Sequence, residues 1–129
     1  MALRDLLTDI RISTTLQPAA RVNGTANGLT VDLRGYDSAC VAVIFGTWTD
    51  GTHTPSLQHS SDGTSWANVA ASEVYGVLTP VASAIGGNSV QNVGYLGSLR
   101  YLRVVLTTAG ATSGALSYAT VINGNPRVL

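Results

Sequence analysis

Apolar and polar residues alternate along most of this chain, in short runs broken by turn residues. Between positions 10 and 17, Ile10, Ile12, Thr14 and Leu16 fall on one side, and Arg11, Ser13, Thr15 and Gln17 on the other. A period of two marks a half-buried strand. Leu29, Val31 and Leu33 alternate with Thr30, Asp32 and Arg34 in the same way. Residues 99–107 give the strongest strand pattern, with Leu102, Val104 and Leu106 inward and Tyr101, Arg103 and Val105 outward. Residues 115–123, after a Gly/Thr/Ser turn, are expected to pair with them as an antiparallel hairpin. A short strand is expected at 89–93. Positions 40–45 are apolar throughout. A strand that is apolar on both sides is covered on both sides, here by the N-terminal arm or by another subunit.

Turn chemistry sets the order of these runs. Pro18 is expected to end the first strand, and Asn23-Gly24 and Asn27-Gly28 mark a loop or hairpin after it. Two Asp-Gly-Thr triplets, at 50–52 and 62–64, flank a short run at 54–60. Asp-Gly between alternating runs is a strong hairpin signal, because Gly accepts φ > 0 and Asp bonds nearby backbone. The triplets predict a three-stranded meander over 40–48, 54–60 and a strand starting near Trp66. Leu3, Leu6, Leu7 and Ile10 fit one or two amphipathic turns, too short to be stable alone. The expected class is all-β: a β-sandwich or jelly roll of about eight antiparallel strands with short N- and C-terminal arms. Residues 1–9 form the N-terminal arm, 10–123 the sandwich domain and 124–129 the C-terminal tail.

Composition adds a surface argument. Charged residues make up only 11% of the 129 positions, against roughly 25% in a typical soluble domain. All seven basic residues are arginine and the net charge is zero. Nothing here predicts nucleic-acid binding through bulk charge. A neutral, charge-poor surface favours association, so a homo-oligomer is expected. No run approaches the roughly 18 apolar residues of a membrane span, so no membrane partner is expected. The acidic residues near the N-terminus do not fit a secretory leader, and the chain is expected to act without secretion. The single cysteine, Cys40, lies in the apolar run and reads as a small core residue.

Candidate chemistry is sparse. Asp50, His53, His59, Ser60 and Asp62 supply the residue types of a hydrolytic triad, but without a nucleophile elbow or an oxyanion-hole signature. His53 and His59 can share a strand face and, with Asp62, approach a metal set, but a defined third ligand is lacking. They are read as exposed polar residues near hairpin turns. No dense acidic loop suits calcium, and Gly86-Gly87 is not placed as a phosphate loop. Trp48, Trp66, Tyr95 and Tyr101 can line a sugar groove, though Trp66 reads first as a lid on the sandwich core. No catalytic, cofactor or metal site is expected, and the chain reads as a non-enzyme.

Five segments then follow in one order: Gly35-Tyr36-Asp37-Ser38-Ala39; Thr49-Asp50-Gly51-Thr52-His53-Thr54; Ser61-Asp62-Gly63-Thr64-Ser65-Trp66; Gly94-Tyr95-Leu96-Gly97 with Arg100-Tyr101-Leu102-Arg103-Val104-Val105; and Asn123-Gly124-Asn125-Pro126-Arg127. Over residues 29–127 this series resembles small virion proteins of tailed bacteriophages encoded near the major capsid protein. The resemblance implies a capsid decoration, cement or minor head protein, made in the host cytoplasm and carried on the capsid exterior. Its partner would be the major capsid protein, with a trimer as the first-choice oligomer. Ser61–Trp66 with Arg100–Val104 also resembles discoidin-type jelly rolls, without their cysteine pair. The alternatives are a carbohydrate-binding jelly-roll module on the virion, which would bind a glycan, and a neck or tail component. The expected capsid or subunit contacts are Leu3, Leu6 and Leu7 in one arm and Pro126, Arg127, Val128 and Leu129 in the other.

Overall fold

The structure, a computed structural model, describes residues 5–126. Ten strands are present among the described residues: β1 (Arg11–Arg21), β2 (Gly24–Asn27), β3 (Val31–Asp32), β4 (Tyr36–Trp48), β5 (Thr52–Ser60), β6 (Ala67–Asn68), β7 (Val74–Tyr75), β8 (Ser89–Tyr95), β9 (Tyr101–Ala109) and β10 (Ala115–Pro126). They form two antiparallel sheets, β1-β10-β4-β8-β7 and β2-β9-β5-β6, with β3 paired to β9. The fold is the expected all-β sandwich. With β3 and β7 set aside, the order is β1-β10-β4-β8 facing β2-β9-β5-β6. In that set only β5 and β6 are consecutive strands within one sheet, and every other step crosses between sheets. This is the double Greek-key order of a jelly roll.

The crossings correct two expectations. The Asp50-Gly51 turn does not close a meander; it carries the chain from β4 in the first sheet to β5 in the second. Asp50 instead accepts hydrogen bonds from the backbone N–H groups of Gly114 (2.6 Å), Thr112 and Ser113. Those donors, Gly114 foremost, lower its pKa. The carboxylate thus ties the β4–β5 crossing to the β9–β10 crossing. For the same reason β9 and β10 are not a hairpin: β9 pairs with β5 and β2, and β10 with β1 and β4. Gly114 sits at φ +74°, where a side chain would run into the Arg21 carbonyl.

The second triplet does make a hairpin. Asp62 accepts from the Thr64 and Ser65 N–H groups at 2.9 Å, and the Ser60 hydroxyl accepts from the Gly63 N–H. The β6 strand that follows is only two residues long.

Pro18 does not end β1. The strand runs to Arg21 with irregularities between Thr14 and Leu16 and between Leu16 and Ala19. Proline has no ladder donor to lose at such an irregular site. The shift also inverts the face: Ile12 is 62% exposed, whereas Thr15 and Leu16 are buried. The buried Thr15 hydroxyl donates to the Leu29 carbonyl (2.8 Å) and accepts from the Val104 N–H (3.1 Å), linking the sheets.

The core lies between the sheets. Leu16, Val41, Val43, Phe45 and Val121 come from the first sheet, and Leu57, Leu102, Val104 and Leu106 from the second. Trp66 is not its lid. It lies outside the second sheet with the Arg103 guanidinium 4.3 Å from its ring centroid, and Gln58 accepts from the same guanidinium. β10 continues to Pro126, into the segment read as a tail.

Candidate interaction surface

The apolar run of β4 explains the first candidate surface. Val41, Val43 and Phe45 point into the core, so the alternate residues Cys40, Ala42 and Ile44 point out. Register extends their rows across the sheet. Cys40 lies beside Ile122, which lies beside Ile12. On its other side Cys40 meets Gly94, and Gly94 meets Tyr75. Ile44 lies between Tyr118 and Val90. Between these two bulky rows runs a smaller one, Thr14, Thr120, Ala42 and Asn92. Ile12 and Val90 are each 62% exposed and Tyr75 is 77% exposed. Among the described residues, no Arg, Asp or Glu occupies an outward position in these rows. The outer face of the second sheet differs: Thr25, Thr107 and Thr54 stand in one row, and Arg103 and Gln58 in another.

A second surface lies at one end of the sandwich. Leu7–Asp9 form a single 3₁₀ turn just before β1, braced by the Asp5 carboxylate, which accepts from the Leu7 N–H and the Thr8 hydroxyl. Leu6 and Leu7 are exposed there, Leu7 at 81%. β10 ends at the same end, where Pro126 pairs with Tyr36. Of the expected contact residues, Leu6, Leu7 and Pro126 therefore lie at the same end of the sandwich, while Leu3, Arg127, Val128 and Leu129 lie outside the described residues. Beside them is a groove of about 490 Å3 formed by Leu33–Ala39 and the loop after Tyr95.

Asp32 and Arg100 brace this end. Arg100 donates through Nε (2.9 Å) and one terminal nitrogen (2.8 Å), and Arg11 donates to the Asp32 carbonyl. Hydrogen bonding from Arg100, helped by the Arg34 N–H, holds the Asp32 carboxyl at about 2, below its ordinary 3.8. Because the folded value is depressed, the stabilisation is present above the unfolded value and is lost as pH falls through the folded one. Asp32→Asn should cost at most about 1 kcal/mol at pH 7, since the pair is solvent-screened. The gap in melting temperature between wild type and variant should close between about pH 4 and pH 2. A pH-independent gap would show that the carboxylate charge contributes nothing.

The other sequence candidates do not converge on a reaction. His53 and His59 are buried rather than exposed, because both take inward positions on β5. His53 Nε2 faces the Asp50 carbonyl at 3.0 Å, and Nδ1 faces the Thr108 hydroxyl at 3.1 Å. His59 Nδ1 lies 2.8 Å from the Tyr95 hydroxyl, and burial raises the pKa of that phenol. Asp62 is committed to its turn. No group of three or more His, Cys, Asp or Glu suited to a metal occurs among the described residues. No helix there is long and apolar enough to cross a membrane.

The chain matches no family model, no curated protein and no solved structure. Sequence reasoning missed the outward residues of β10. Their signal was a size inversion: Leu116 and Tyr118 alternate with Ala115, Ser117 and Ala119, and the smaller set is the one that points inward.

Proposed function

We propose that this chain is a non-enzymatic structural protein of a tailed-phage virion that binds the capsid exterior and stabilises it as a decoration or cement protein. The observation that carries the reading is the end of the sandwich, where exposed Leu6 and Leu7, the end of β10 and an open groove lie together. The ordered segments quoted above, including Gly35–Ala39 on the wall of that groove, add the sequence resemblance. Each copy would bridge neighbouring major capsid protein subunits. Binding only the assembled state stabilises it by mass action, and many copies add avidity.

The carbohydrate reading stands second because three of its four candidate rings are already engaged. Arg100 lies over Tyr101 and Arg103 over Trp66, and Tyr95 is buried. Sugar stacking needs open ring faces.

Co-sedimentation with undecorated heads tests the proposal. The wild-type chain should pellet with heads. The double variant Leu6→Ser, Leu7→Ser should keep its own melting curve, because both side chains are exposed, yet bind at least about tenfold more weakly, since each buried Leu is worth about 1.5–3 kcal/mol before ordering costs. Absence of wild-type binding would refute the capsid reading. Unchanged binding by the variant would move the contact away from the N-terminal turn.

A further inference from the structure

A sheet face left to water carries its smaller or polar residues, and bulk goes to the covered side. Over residues 115–119 of β10 the order is reversed: Leu116 and Tyr118 face out, over inward Ala115, Ser117 and Ala119, and Ile122 adds further outward bulk beyond them. Ile12, Ile44 and Val90 extend this outward bulk onto three neighbouring strands. The opposite sheet, exposed in the same way, carries threonines.

We infer that the outer face of the β1-β10-β4-β8-β7 sheet is a self-association interface that packs against the same face of a second copy of this chain about a two-fold axis. Three properties of the face select a second copy over an unlike partner. It carries no charge among its described outward residues, so two copies meet without like-charge repulsion, while an unlike partner finds no charge to read. Its relief is self-complementary: two bulky rows flank the small row Thr14, Thr120, Ala42 and Asn92, so a bulky row of one copy can seat in the trough of the other. Its size is sufficient. The strands β1, β10, β4, β8 and β7 hold 11, 12, 13, 7 and 2 residues, and at about 4.8 by 3.4 Å per residue they cover roughly 730 Å2. Two such faces in full contact bury on the order of 1,400 Å2, above the ~1,000 Å2 expected of a specific interface. Stacked twisted sheets cross at about 30°, a geometry open to two identical faces. Such an interface is isologous and produces pairs.

The contact between copies uses a different surface from the end proposed to meet the capsid, so the two readings fail separately. Sedimentation velocity on the full chain, from about 1 to about 100 µM, should show a two-chain species growing with concentration, and sulfate should strengthen it as it strengthens apolar burial. Ile44→Lys and Val90→Lys each bury an unpaired charge in the interface and should raise the dissociation constant about 100-fold. Val90 is mostly exposed, so Val90→Lys remains folded and decides the matter even if Ile44→Lys does not fold. Thr107→Lys, on the outer face of the other sheet, should leave association unchanged. A monomer at every concentration, or association by Val90→Lys equal to wild type, would overturn the inference. So would loss of association in Thr107→Lys.

Discussion

Phe45→Ala is expected to destabilise the domain by about 3–5 kcal/mol, the largest effect of any single truncation considered for this chain. Phe45 is 1% exposed on β4, the middle strand of the first sheet. Its ring meets His53 of the opposite sheet edge-on, with centroids 6.4 Å apart. Removal leaves a cavity between two sheets whose backbones are held by their own ladders and collapse little. Leu102→Ala, on the central strand β9 and fully buried, should cost about 2–5 kcal/mol by the same mechanism. Leu116→Ala, outward and half exposed, should fall within about 1 kcal/mol in the isolated chain. Urea melts of the three variants check this. A Leu116 loss equal to that of Phe45 would mean that the inward and outward faces of the first sheet are exchanged.

His53→Ala should cost about 2–4 kcal/mol, although a surface histidine would cost within about 0.5 kcal/mol. The Asp50 carbonyl can only accept, so Nε2 carries the proton, and the Thr108 hydroxyl is then free to donate to Nδ1. Alanine removes a fully buried ring and deprives both partners of their hydrogen bonds. The Asp50 carbonyl belongs to the β4–β5 crossing, so its loss also loosens the link between the sheets. Trp66→Ala is the contrast. That ring lies outside the second sheet against Arg103, and a partly exposed cation–π contact is worth about 0.5–1 kcal/mol. Denaturant midpoints should rank His53→Ala well below Trp66→Ala in stability. The opposite rank would return Trp66 to the core.

The fold class was legible because alternation reports which side of a strand is covered, and Asp-Gly reports where a chain reverses. Neither reports which strand is the partner. The run at 99–107 shows this: its inward set Leu102, Val104 and Leu106 was read correctly, but its neighbours are β5 and β2, not the strand that follows it in sequence. Asp50-Gly51 and Asp62-Gly63 carry the same local signal, yet one crosses between sheets and the other closes a hairpin. What separates them is distant: the amides of residues 112–114 capture the Asp50 carboxylate, while Asp62 bonds only its own turn. The first strand misled for a related reason. Alternation through residues 10–17 assumes an unbroken pleat, and the irregularities at Leu16 put Thr15 and Leu16 inward in succession.

The candidate surfaces were legible in part. The all-apolar stretch 40–45 called for cover on both sides, and its outward half now lies in a neutral apolar sheet face. The spacing of Leu6 and Leu7 suggested an amphipathic turn that docks, and in the chain alone both are exposed. The inverted size pattern of β10 was present in the sequence too, but assigning that strand to the wrong partner concealed which residues were outward.

Capsid attachment is tested most directly by titrating purified protein onto undecorated heads and counting bound copies per head while following the heat stability of the heads. Saturation at hundreds of copies, with a head-melting transition that rises as sites fill, is the predicted result. Saturation at a dozen copies or fewer would contradict a decoration role and assign the chain to the neck or tail, and full occupancy with no rise in that transition would contradict stabilisation of the head.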